Sequence, residues 1–182
     1  PLLGDGLTYP YSIQSLTYYF FDDHLAMTIN RIIIVLLTLA VGYIFFLNYF
    51  KTNTSILLSI LSIFNPVAFW YPVHHYQMTL FFYFSLLILI KKILSFKSKK
   101  LAILFVVTFI LFINSVSILH VLLSLPFIFL FTFITNNKKF DANLFVIIGF
   151  IISSFVITAN QNIEFFENIS NSGRNNQFVY NS

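Results

Sequence analysis

The sequence predicts an all-α polytopic membrane protein, with about six transmembrane helices and a short N-terminal helix lying along the interface. Three observations predict it. The 182 residues are 58% hydrophobic and 9% charged, with a mean hydropathy of +0.86, too few polar groups to cover a water-facing globule of this size. The apolar residues fall in long runs separated by short polar knots, the layout of repeated bilayer crossings. Eight of the 10 Lys and Arg sit in three places between those runs, at Lys51, within residues 91–100 and at Lys138 and Lys139. That is a topological pattern and not a nucleic-acid surface. Cysteine is absent, so neither a disulfide framework nor a thiol nucleophile is available.

Residues 1–30 form the first outer loop. Gly4, Asp5, Gly6 and Pro10 break regular structure, and residues 11–21 then place Ile13, Leu16, Tyr19 and Phe20 at helical spacing, which suits a helix in the interface plane. Asp22, Asp23 and His24 either end that helix or cap the next one. The first span covers 32–50 and closes on Lys51; the second covers 55–71, with Pro66 near its outer end. The third covers 77–96 and runs into Lys91, Lys92, Lys97, Lys99 and Lys100. A single helix over 101–134 would be about 50 Å long, far more than a hydrocarbon core of about 30 Å needs. The polar group Asn114, Ser115 and Ser117 supplies a break, leaving a short limb over 101–113 and a full span over 116–134. Charge favours the hairpin, because it returns Lys138 and Lys139 to the side of the other lysines. The sixth span covers 144–158.

This topology makes residues 1–182 one transmembrane domain in the inner membrane, with spans over 31–158, an outer tail over 159–182 and both ends outside. Eight lysines then lie inside, with Arg31 and Arg174 near the outer face. The chain begins at Pro1 and ends in a polar tail, which reads as a piece of a longer protein.

Chemistry on this plan belongs to the outer face, and above all to the turn between the second and third spans. His74 and His75 are adjacent, so they cannot share a helix face, and no Cys, Asp or Glu stands near them to complete a metal site. They read either as plain interfacial polar residues or as contacts to an anionic or sugar ligand. Trp70, Tyr71 and Tyr76 read as an interfacial aromatic belt or, more sharply, as a stacking platform for a sugar. Gln77 follows them at the start of the third span. His120, inside the fifth span, is either functional or a neutral histidine bonded to the Asn114 and Ser117 turn. No phosphate-binding loop, dinucleotide fingerprint, zinc-protease helix or serine-nucleophile motif occurs, and no cofactor is implied.

Residues 9–92 carry four pieces in sequence: Tyr9-Pro10-Tyr11, Phe20-Phe21-Asp22-Asp23, residues 26–31 reading AMTINR, and residues 65–78 reading NPVAFWYPVHHYQM. In that order they resemble the C-type (GT-C) polytopic membrane glycosyltransferases, of the protein-mannosyltransferase, lipid A aminoarabinose-transferase and RgtABCD-like kind. The family motifs at these places are a Pro-Pro-Leu-Tyr start, Leu-Phe-Gly-Asp, an Ala-Leu-Arg-Leu-Pro-Ser helix opening, and Ser-Pro-x-x-x-Tyr-Tyr-Ser-Gln-Glu-x-Arg-x-Tyr. Thr28 stands where the family has Arg, Asn30-Arg31 where it has Pro-Ser, His74 where it has Glu, and Tyr76 where it has Arg. These departures fall on positions tied to activity and leave the hydropathy pattern intact. The likeness covers about half the chain by motif and the rest by hydropathy, as the N-terminal half of such an enzyme.

The resemblance implies transfer of a sugar from a polyprenyl-phosphate-linked donor to a glycan, lipid or protein acceptor at the outer face of the membrane. Asp5, or a carboxylate upstream of Pro1, would be the catalytic base on the acceptor hydroxyl. Arg31, His74 and His75 would hold the donor phosphate, and Trp70, Tyr71, Tyr76 and Gln77 the sugar. A non-catalytic polytopic protein, such as a transporter, flippase component or assembly subunit, is the alternative; the scarcity of glycine and the absence of carboxylates inside the spans weigh against it.

Overall fold

Asp22 opens the first helix of the computed structural model, α1 (Asp23–Leu47): its backbone is extended, and its Oδ1 accepts from the Leu25 amide at 2.9 Å. The carboxylate satisfies an amide that the first turn of a helix leaves open, and its charge suits the positive end of the helix. Capping is therefore its role. Asp22→Ala is expected to cost about 1 kcal/mol of stability, read as a lower unfolding midpoint; Asp22→Asn, which keeps the acceptor, should retain most of it.

The structure describes residues 17, 19–64, 73–96, 98–116, 118–136 and 142–159. Of the helix expected over 11–21 this includes Thr17 and residues 19–21, which form a turn in which the Thr17 carbonyl accepts from the amides of Phe20 and Phe21; residues 1–16 and 18 lie outside the described residues. Helix α1 starts well before the expected first span at Ile32. Leu25, Ala26 and Met27 are strong helix formers, and Thr28 turns its hydroxyl back onto the His24 carbonyl at 2.9 Å, so nothing in this stretch opposes a helix.

Helix α2 (Thr52–Ile63) closes at Ile63, short of the expected end at Tyr71. Pro66 disfavours helical backbone at Asn65, and a proline shortly after a helix end is a common stop; residues 65–72 lie outside the described residues. Helix α3 (Val73–Phe96) starts one turn before Gln77 and ends where expected. After Ser98 comes α4 (Lys99–Ser115), then Val116 in extended backbone at φ −136° and ψ 151°, then α5 (Ile118–Thr135), which carries Pro126 inside it. The run over 101–134 is thus two helices, with the break just after Asn114 and Ser115, at Val116. Helix α6 (Ala142–Ile157) completes an all-helical set among the described residues.

Contacts between the helices give their directions. Thr38 Oγ1 of α1 donates to the Gln77 carbonyl of α3 at 3.1 Å, and the Phe45 and Phe84 rings stack at 5.2 Å, seven residues further along both helices. Helices α1 and α3 are therefore parallel, and α2 must run back between them. Phe82 meets Phe112 at 5.6 Å, making α4 antiparallel to α3. Phe105 meets Phe150 at 6.4 Å and Phe109 meets Phe155 at 5.8 Å, so α4 and α6 are parallel. Phe131 of α5 reaches Phe45 at 5.9 Å, which a chain continuing straight on from Phe112 could not do. The chain reverses at Val116, and the six helices alternate in direction.

The inside of this bundle holds small hydroxyl residues among its buried rings, and its outside is as apolar as its core. Thr38, Ser55, Ser59, Ser124, Thr132 and Ser154 are buried, while Ile33, Leu36, Leu57, Leu123, Phe127 and Phe145 are exposed. The buried hydroxyls find acceptors in their own helices: Thr38 on Ile34, Ser59 on Ser55, Thr132 on Ile128 and Ser154 on Phe150, at 2.6 to 2.8 Å. Each can therefore leave water without an orphaned donor. Their small size also lets helices approach. At Gly42 an added Cβ would lie 3.4 Å from the Phe84 ring and 3.8 Å from Ser59 Cβ, in contact with both, so α1 meets α2 and α3 closely here.

Two helical stretches, His24–Leu47 and Gln77–Phe96, are long and apolar enough to cross a membrane. The other apolar helices are shorter: the 12 residues of α2 reach about 18 Å and the 16 of α6 about 24 Å.

Candidate functional site

Alternating direction sorts the charged residues to opposite ends. The end formed by the C-termini of α1 and α3 and the N-termini of α2 and α4 carries Lys51, Lys91, Lys92, Lys99 and Lys100. Lys91 Nζ sits 4.5 Å from the centroid of the Tyr49 ring, joining the last part of α3 to the turn after α1. Among the described residues the carboxylates, Asp22 and Asp23, lie at the other end with Arg31. Lys138 and Lys139 lie outside the described residues.

That other end holds the residues to which the sequence assigns chemistry. Gln77 is 3% exposed in the first turns of α3, where its backbone carbonyl takes the Thr38 hydroxyl. Its side-chain Oε1 is buried and meets no hydrogen-bond partner among the described residues, and the same holds for Ser115 Oγ at the end of α4. The antiparallel register set by Phe82 and Phe112 brings Ser115 to within about one turn of the level of Gln77. A buried carbonyl oxygen without a donor costs about 1–3 kcal/mol, so such a pair is where a ligand hydroxyl gains most by binding. His120 opens α5 at this same end and is half-buried. Asn30 Nδ2 donates to Thr17 Oγ1 at 2.6 Å, tying the segment before α1 back onto that helix.

The structure brings some of the expected site residues together and leaves others aside. Arg31 is exposed on α1, seven residues before Thr38, which puts it just beyond the start of α3 at the Gln77 end. His74, His75 and Tyr76 belong to the first turn of α3, with side chains outside the described set. Asp5, Trp70 and Tyr71 lie outside the described residues altogether. Ser115 is the residue that sequence reasoning passed over, because a serine beside Asn114 reads as a helix break and gives no sign of its burial. Among the described residues no cluster of three or more His, Cys, Asp or Glu could hold a metal ion. No family model, no curated protein and no solved structure matches the chain.

Proposed function

We propose that the chain is a six-pass membrane domain with its lysine end inside and its Gln77 end outside, and that it takes part in sugar transfer from a polyprenyl-phosphate-linked donor at the outer face. The membrane reading rests on one observation above the others: large apolar side chains cover the outside of the helices while the described lysines gather at one end. Lipid accepts such an exterior, and lysines at one end are what an inward-facing end requires. The transferase reading rests on the resemblance over residues 9–92 and is supported by Gln77, a buried acceptor at the end where a donor sugar would sit.

In this mechanism Asp5, or an acid upstream of it, takes the proton of the acceptor hydroxyl as that oxygen attacks the anomeric carbon. The bond to the lipid phosphate breaks, and the departing oxyanion is met by the Arg31 guanidinium and the imidazoles of His74 or His75. Trp70, Tyr71 and Tyr76 stack on the sugar, and Gln77 Oε1 accepts from one of its hydroxyls. The polyprenyl chain stays in lipid beside the apolar helices.

The test uses the full-length protein. Arg31→Ala and His74→Ala should each lower sugar transfer by at least about tenfold, since each removes a charge-assisted contact to the leaving group. Unchanged turnover in both removes them from the mechanism. Cysteine labelling from either side of the membrane tests the topology separately: residues added beside Lys99 and beside Gln77 should react from opposite faces. Intact topology without any transfer would leave the non-catalytic reading in place.

A further inference from the structure

The described residues of the lysine end carry a concentration of positive charge. Lys51, Lys92, Lys99 and Lys100 are exposed and Lys91 is half-buried, and no carboxylate among the described residues lies at this end. Lys99 and Lys100 occupy the first turn of α4, where proteins ordinarily place Asp or Glu, because the amides there already present positive partial charge. The N-caps of α2 and α4, Lys51 and Ser98, make no side-chain cap bond, and neither first turn holds an acid. Beside these cations the surface is aromatic and apolar: Tyr49 is 47%, Phe50 49% and Phe96 73% exposed.

We infer that this end holds the phosphate of an anionic phospholipid head group against Lys51, Lys91, Lys99 and Lys100. The inference rests on the membrane reading above. Lys91 is seated on the Tyr49 ring, with Lys51 at the start of α2 and Lys99 and Lys100 in the first turn of α4. Phe50 and Phe96 flank the lysines where the glycerol and first acyl carbons of a bound lipid would lie, which is what a free phosphate ion lacks. The lysines thus do more than orient the chain: they select the lipid beside it.

The experiment uses the chain purified in mild detergent after reconstitution into vesicles of phosphatidylcholine and phosphatidylglycerol in equal amounts, with bound lipid read by native mass spectrometry. Phosphatidylglycerol should be retained in excess over phosphatidylcholine. Lys99→Gln with Lys100→Gln should reduce that excess by about fivefold per lysine removed, and Lys99→Arg with Lys100→Arg should keep it. Both positions are exposed in the first turn of α4, so the substitutions leave the core untouched, and circular dichroism checks the helix content of each variant. Equal retention of the two lipids, or an excess unchanged in the Gln pair, overturns the inference. Displacement of the lipid by inorganic phosphate alone also overturns it, since the site would then be one for a bare anion. Alkaline carbonate extraction reports on the membrane reading by itself: a chain released by carbonate sinks that reading, whereas a chain that stays embedded without lipid selectivity sinks only this inference.

Discussion

Truncating Phe109 to alanine is expected to cost about 3–5 kcal/mol of stability, the range for removing a large buried ring. Phe109 is fully buried, and its ring meets Phe105 at 6.1 Å, Phe112 at 6.0 Å and Phe155 at 5.8 Å. It therefore joins α4 to α6 and lies next to Phe112, which joins α4 to α3 through Phe82. The loss comes mainly from dispersion contacts and the cavity left behind, which exist in lipid as in water. Phe127→Ala is the matched control, because that ring is 61% exposed and should cost less than about 1 kcal/mol. Denaturant titration of the detergent-solubilised chain reads both. Equal costs at the two positions would mean that the α4–α6 packing is not as described.

Leu36→Lys is expected to have the next largest effect, and its sign separates lipid from water outside the helices. Leu36 is 59% exposed near the middle of α1. On a water-facing helix a lysine there changes stability by no more than about 0.5 kcal/mol. At the centre of a bilayer-spanning helix it costs about 2.5–3.5 kcal/mol. Insertion efficiency into microsomal or bacterial membranes measures the difference, and Phe96→Lys supplies the comparison. Phe96 is 73% exposed at the lysine end of α3, where a long side chain can reach the head groups and the cost should nearly vanish. Leu36→Lys inserted as readily as the wild type would remove the membrane reading, and the lipid-selective lysine end with it.

The polar end follows a different logic from these two positions. The side chains of Gln77 and Ser115 contribute little to holding the bundle together, since Oε1 of the one and Oγ of the other are buried without a partner among the described residues. Replacing them by apolar residues of similar size would sooner stabilise the fold than weaken it. On the proposed function, this end and not the aromatic core is where a sugar hydroxyl would bind.

The elements themselves were legible in the chain. The break that follows Asn114 and Ser115, the cap at Asp22, the end of α3 at Phe96 and the lysine knots are local features, decided by turn chemistry, helix length and charge within a few residues. Two boundaries escaped for the same reason. Polar residues at 28–31 suggest an edge, yet a threonine that bonds to its own helix costs that helix almost nothing, so α1 starts early; Pro66 closes α2 while the apolar run continues beyond it.

Partner choice was not legible, and only the tertiary structure decided it. A helix that is apolar all round has no stripe to mark its inner face. Alternation along the chain sets which helices point the same way, but nothing in the sequence says that α1 packs on α3, that α4 packs on α6, or that Gln77 and Ser115 reach the same level. Those pairings depend on which surfaces meet closely, as Phe84 and Gly42 do, and a through-space fit of that kind is written in two distant stretches at once.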